Sequence, residues 1–269
     1  MSDRLQEFEV SNALLNNIPA LRERLEEKGY LFFRDVLDKE VLLAIRRGML
    51  ELAAGHGWVR EGTDPIDGIY SGSVQEPGKF ETTRLYREIL DLATFNAFGR
   101  NPVLMLLYSG LFGAEALEHR RRIGRITTPQ SFKQTTPSHQ DFYYIRGTQA
   151  TYTNWIPTGH CPRELGGLAV LEGSNHLGFL EHVPMSGTGG RGIPQEETDR
   201  SGLRWLTTDF ALGDLLLFHS LTVHKALHNT TQEQLRVSLE YRIQPSGDAI
   251  DPGSQTYHMR GAFGENEIL

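Results

Sequence analysis

A chain of 269 residues, 39% of them hydrophobic, can bury a large core and fits one elaborated domain better than two independent ones. Its formal net charge of −7 argues against nucleic-acid and anionic-membrane partners, because both need a basic face. The single cysteine, Cys161, excludes an intrachain disulfide framework and a thiolate zinc cluster, and no apolar run approaches a membrane span or a leader, so the expected setting is reducing and cytoplasmic.

The first third reads as helix-rich. An amphipathic helix ends at Lys28-Gly29, a short apolar strand "YLFF" follows, and a second helix starts after Asp38 with Leu42, Leu43, Ile45, Met49 and Leu52 at helical spacing. "TFNAFGRNPVLMLLYSGLFG" is also helical, with Asn101-Pro102 as a start signal. The basic stretch "HRRRIGR", His119 to Arg125, reads as a solvated strand or helix face that could hold a small anion.

From about residue 118 the pattern changes to short strands separated by turn residues: "ATYTNWIP", "GGLAVLEGSN", "GDLLLFH" and "LRVSLEYRI". Such spacing behind a helical layer predicts a mainly β fold with flanking helices, a sandwich or jelly roll. The domain divides into a helix-rich part over about 1–117, a jelly-roll core over about 118–245 and a tail over 246–269. The Gly-rich insert Met185 to Trp205 is either an active-site lid or a disordered loop.

Within "SHQDFYY", Ser138 to Tyr144, an extended backbone would point His139 and Asp141 to one side. Two ligands on one side suggest a metal, and further candidates lie in "GDLLLFHSLTVHKALHN": His219, His224 and His228. On a regular strand His219 and His224 have opposite parity and lie roughly 16 Å apart, so only one of them serves the same ion. His224 and His228 have helical zinc-motif spacing, but Lys225 stands where that motif needs a glutamate. Two histidines and one carboxylate leave open positions on an octahedral ion, as non-haem Fe(II) oxygenases require. In "LRVSLEYRI", Arg236, Ser238, Glu240 and Arg242 share one face. That face is either solvent-exposed or, inside a barrel, a place where Arg236 and Ser238 would grip a carboxylate.

Taken together, "KGYLFFRDVLDKE", "SHQDFYY", the strand with Trp155, "ELGGLAVLEGSNHLG", "GDLLLFHSLTVHKALHN" and the closing "RVS" resemble the phytanoyl-CoA dioxygenase family of Fe(II)- and 2-oxoglutarate-dependent oxygenases. The resemblance runs from about Glu23 to Arg242. It implies a double-stranded β-helix core of cupin-like jelly-roll type, with His139, Asp141 and His224 as the iron ligands. It implies also that Arg236 holds the distal carboxylate of 2-oxoglutarate, with Ser238 beside it and Trp155 walling the pocket, though Trp155 suits a buried core equally well. Gly166, Gly167 and Gly173 match turn positions. Lys225 and Ala226 replace a small Gly-Ser pair found in many relatives. An aspartate at 141, where halogenating relatives carry a small residue, implies hydroxylation by dioxygen, or a related desaturation or ring closure.

Two other readings keep parts of this pattern: a metal-dependent cupin-like isomerase, with no use for Arg236, and a non-catalytic jelly-roll binding protein. For the substrate, a free small molecule is expected rather than an acyl-CoA, whose phosphates need several cations. Tyr143, Tyr144, Arg146 and the insert up to Trp205 are candidate substrate contacts. Arg242, roughly 20 Å beyond Arg236 at strand rise, is expected to leave the co-substrate alone. Nothing in the sequence fixes an oligomeric state.

Overall fold

Capping residues set the helices of the first third. Asn17 accepts from the Ala20 amide at the start of α1 (Ile18–Lys28), and Asp38 accepts from the Glu40 and Val41 amides at the start of α2 (Lys39–Gly55). Gly29 ends α1 in the left-handed region, at φ 75°, where a Cβ would lie 2.6 Å from Thr222 Oγ1. That close approach fastens α1 to a turn that matters below, because Thr222 Oγ1 donates to Gly29 O at 2.7 Å. Leu42, Ile45, Met49 and Leu50 are buried along α2, while Leu43, expected on the same face, is exposed. Three more helices follow, α3 (Arg84–Asp91), α4 (Ala93–Phe98) and α5 (Pro102–Phe112), the last capped by Asn101. The computed structural model describes residues 5–72, 84–132 and 135–255, so most of the tail over 246–269 lies outside them.

The strands are β1 (Tyr30–Phe33), β2 (Ala116–Glu118), β3 (Ile123–Thr127), β4 (Tyr152–Pro157), β5 (Leu168–Leu171), β6 (Val183–Pro184), β7 (Arg191–Gly192), β8 (Trp205–Leu206), β9 (Leu215–His219), β10 (His224–Ala226) and β11 (Arg236–Pro245). Two short helices, α6 (Phe142–Ile145) and α7 (Gln195–Arg200), interrupt them. A major antiparallel sheet runs β1-β9-β4-β11-β2, with β3 also on β11, and a minor sheet runs β10-β5-β8. Opposed antiparallel sheets with helices behind one of them make the expected jelly roll, as two separate ladders among the described residues.

Alternation divides the core. Leu31, Phe33, Leu215, Leu217, Val237, Leu239 and Tyr241 leave the major sheet on its outer side and meet α1 to α5. Phe32, Trp155, Leu216 and Phe218 leave on the inner side and meet Leu168, Val170, Leu206 and Phe210 between the sheets. Both faces of β11 are therefore buried, and Arg236, Ser238 and Arg242 point into the protein rather than to solvent. The helix layer decides this, since it covers the apolar side of the strand and the minor sheet covers the other.

The basic stretch is not a solvated face either. His119 and Arg122 are buried, the latter paired with the buried Glu118, while only Arg120 of the run is exposed. The insert over 185–205 is structured: its β7 forms a hairpin with β6 just before it, and α7 and β8 complete it. No helix among the described residues is long and apolar enough to cross a membrane.

Candidate active site

His139 and His224 face each other across an antiparallel bridge, His139 N donating to His224 O at 2.9 Å and His224 N to His139 O at 3.0 Å. Their ring centroids are 4.1 Å apart. Asp141 departs from the extended run that its spacing suggested: it adopts helical angles (φ −61°, ψ −31°) and its carbonyl accepts from Ile145 as α6 begins. Gln140 makes the two side chains converge instead. Its amide side chain donates to Gly178 O and Leu221 O and accepts from Leu180 N, and its own N–H donates to His182 Nε2 at 3.0 Å. His182 in turn stacks on Tyr143 at 4.3 Å. A buried residue with both its peptide and its side chain bonded cannot rotate, so the turn is rigid.

Asp141 Oδ1 lies 3.7 Å from His139 Nε2 and 3.9 Å from His224 Nε2, and the three ligand atoms fall within 4.8 Å of one another. Each ring's Nδ1 is held by a backbone carbonyl, Pro137 O at 2.8 Å for His139 and Thr222 O at 3.0 Å for His224. A carbonyl only accepts, so both protons sit on Nδ1 and both Nε2 lone pairs face the carboxylate. Burial would raise the Asp141 carboxyl, but the Arg242 guanidinium beside it outweighs burial and holds it well below the usual range. Burial, then His139, pushes His224 down to about 3. The site is thus one carboxylate oxygen and two imidazole nitrogens on one point, a donor set that fits a divalent transition metal with open positions.

Arg242 was not expected here. Its Nε donates to Asp141 Oδ2 at 3.1 Å and its Nη2 to Oδ1 at 3.2 Å, while Thr153 Oγ1 donates to Oδ2 at 2.5 Å. The strand-length separation from Arg236 does not take Arg242 out of the site, because β11 passes along one wall of a single cavity and both ends of its polar face border it. That cavity, of about 230 Å³, lies beside the triad. Trp155, Phe218, Arg236, Glu240 and Arg242 form its major-sheet wall, with Ile123 and Arg125 from β3 and Arg121 just before it. Leu168 and Ala226 come from the minor sheet, and Thr136, Tyr144, Ile145, Thr188 and Gly189 complete the lining around the triad. The insert therefore contributes directly to the cavity. Gly189, at φ 88°, has to be glycine, since a Cβ would sit 2.6 Å from Tyr144 Oη.

Arg236 is buried, donates through Nη1 to Gly166 O and through Nη2 to Thr127 Oγ1 at 2.8 Å, and keeps an unpartnered Nε. Ser238 Oγ, also buried and on the same face, has no partner. Burial draws Arg236 down to about 10, still charged at neutral pH. Arg236 on the cavity wall, with an orphaned donor and with the unpartnered Ser238 hydroxyl beside it on the same face of β11, fits an incoming carboxylate.

The remaining sequence candidates divide. Trp155 packs on Phe210 at 4.6 Å and also borders the cavity, so both readings of it apply. Tyr144 borders the cavity; Tyr143 and Arg146 pack behind it, with the guanidinium 5.3 Å from the Tyr143 ring. Trp205 is buried in β8 under Lys225 Nζ, at 3.9 Å, away from the triad's cavity. His219 accepts from Leu221 N and His228 meets Thr135 Oγ1, so neither approaches the triad. Gln140 and His182 are missing from the sequence reading, and only the proximity of Gln140 to the ligands hinted at them.

Burial also pushes His119, His182 and His219 down to about 4. Their unfolded imidazoles titrate near 6.5, so the unfolded chain binds more protons as pH falls from there, and stability present above about 6.5 is lost toward 4. Each group adds a slope of up to about 1.4 kcal/mol per pH unit. The melting temperature of metal-free protein is expected to hold from pH 8 to 7 and to drop steeply between 6.5 and 4.5. A flat profile across that window would show that these rings are not buried in neutral form.

The solved structures similar to this chain include the epimerase SnoN in complex with Fe3+, alpha ketoglutarate and nogalamycin RO, at 20% identity and TM-score 0.63 over 88% of this chain and 87% of that one. The alpha ketoglutarate dependent carbocyclase SnoK, from nogalamycin biosynthesis, matches at 18% identity and TM-score 0.61 over 90% and 89%. Among characterised sequences, 1-deoxypentalenic acid 11-beta-hydroxylase of Streptomyces arenae is 28% identical over 259 residues, 91% of this chain and 88% of that protein. Fold and site together define a jelly-roll oxygenase of the non-haem iron, 2-oxoglutarate-dependent class. The model of the phytanoyl-CoA dioxygenase (PhyH) family matches residues 25–238, most of the chain, and the protein belongs to that family.

Proposed function

We propose that this oxygenase hydroxylates an unactivated C–H bond of a free small molecule, with His139, Asp141 and His224 as the iron ligands and Arg236 and Ser238 as the anchor of 2-oxoglutarate. Iron, 2-oxoglutarate and dioxygen supply the oxidising chemistry, with succinate and carbon dioxide released. The protein's part is positional. Asp141, fixed by Arg242 and Thr153, presents one oxygen toward the histidines; Trp155, Phe218 and Leu168 keep water from the cavity; Tyr144 and the hairpin over 183–192 border the space left for the substrate. A single observation carries this reading: the buried Arg236, with no carboxylate of its own, shares one cavity with the triad. A cupin-like isomerase would have no use for it.

The hydroxylase from Streptomyces arenae acts on a small acid by its name, which supports a free small molecule here. A reducing, cytoplasmic setting suits ferrous iron, and Cys161 is a buried free thiol. Screening small molecules for stimulated conversion of 2-oxoglutarate to succinate tests the reading; a product lacking added oxygen would indicate desaturation or ring closure.

Arg236→Met is expected to weaken 2-oxoglutarate binding by at least about tenfold, since charge-assisted hydrogen bonds contribute roughly 1.5–3 kcal/mol each. Iron content should barely change. Arg146→Met is the control, because Arg146 lies behind Tyr143. Equal 2-oxoglutarate affinity in wild type and Arg236→Met would remove Arg236 from the anchor.

A further inference from the structure

Four arginines border the cavity and only two carboxylates do. Arg242 is forked onto Asp141, and Arg125 lies 3.5 Å from Glu240. Among the described residues no carboxylate pairs with Arg236 or Arg121. An iron(II) ion and dianionic 2-oxoglutarate cancel each other, so loading the site leaves two positive charges in excess. One carboxylate of the co-substrate answers Arg236, and Asp141 is shared between the metal and Arg242. Arg121 is left with no ion pair in a partly buried position, only Asp141, already forked to Arg242, and Asp251 acting on it from a distance, so a ligand carboxylate would supply the close partner it lacks.

Arg121 is held for that purpose. Its Nη1 donates to Tyr144 O at 2.6 Å, which ties the guanidinium to the segment that carries His139 and Asp141 and leaves its other donors for a ligand. Beyond it the wall is apolar, formed by Ile123, Ile145, Leu168 and Phe218. Resting on the function proposed above, we infer that Arg121 docks a carboxylate on the substrate, so that the substrate class is a small, mainly apolar carboxylic acid. A planar guanidinium with one unmatched charge suits a monoanionic carboxylate better than a phosphate dianion.

Calorimetry on anaerobic protein loaded with Fe(II) and 2-oxoglutarate tests this with cyclohexanecarboxylate and its neutral isostere cyclohexanecarboxamide. The acid should bind at least about tenfold more tightly than the amide. Arg121→Gln should bring the two within about twofold, and Arg121→Lys should restore most of the preference. Equal binding of acid and amide, an acid preference retained in Arg121→Gln, or no binding of the acid overturns the inference. If wild type with Fe(II) gives no charge-transfer absorbance on adding 2-oxoglutarate, the functional reading itself fails. The same comparison of acid and amide on metal-free Arg236→Met protein, with and without Arg121→Gln, then still reports on Arg121 alone.

Discussion

His139→Ala and His224→Ala are each expected to give a folded protein that no longer retains iron, with metal affinity lowered by more than about a hundredfold and turnover abolished. Loss of groups that merely support metal ligands already costs 10- to 100-fold, and here a ligand itself goes. The fold should survive, since the bridge between residues 139 and 224 is made by backbone atoms. His228→Ala should leave iron in place, because that ring bonds Thr135 Oγ1 and packs on Phe132, away from the triad. His219→Ala is expected to lower stability without releasing iron, since the ring accepts from Leu221 N in the turn before His224. Metal content of the purified variants decides the matter; iron lost from His219→Ala and kept by His224→Ala would reverse the assignment.

Arg242→Met should produce the second large effect, a loss of stability that bound metal partly restores. Asp141 is 1% exposed and Arg242 5% exposed, so removal of the guanidinium leaves a carboxylate buried without its counter-charge. Breaking such a pair from one side costs on the order of 3–5 kcal/mol. A divalent ion replaces the missing charge, and therefore the metal should stabilise Arg242→Met by more than it stabilises wild type. Denaturant unfolding with and without Fe(II), under argon, measures both terms. Equal metal-induced gains in the two proteins would show that Arg242 acts only in packing.

Much of this was legible from local pattern. Asp38, Asn101 and Gly29 announce helix ends by chemistry that needs no tertiary context, and the alternation of "LRVSLEYRI" separates the two faces of β11 correctly. That neither face meets solvent was not legible, because that depends on helices distant in sequence covering one side and β5 and β10 covering the other. The same limit explains the basic stretch. Arg121, Arg122 and Arg125 look solvated until β3 is paired with β11, and only then do they stand at a cavity wall or against Glu118. His139 and Asp141 were right as neighbours for a reason the spacing did not contain: Asp141 is helical, and Gln140, bonded to Gly178, Leu180, Leu221 and His182, holds the turn. Contacts of that kind, between residues 38 to 81 positions apart, leave no trace in a local pattern.

The central claim is that one cavity holds Fe(II) on His139, Asp141 and His224 and 2-oxoglutarate on Arg236. Titration of 2-oxoglutarate into the anaerobic Fe(II) protein, followed by metal-to-ligand charge-transfer absorbance, tests it most directly. The account predicts a saturating band in wild type, a right-shifted titration in Arg236→Met and no band in His224→Ala. No band in wild type that has retained its iron, or an unchanged one in His224→Ala, would contradict it.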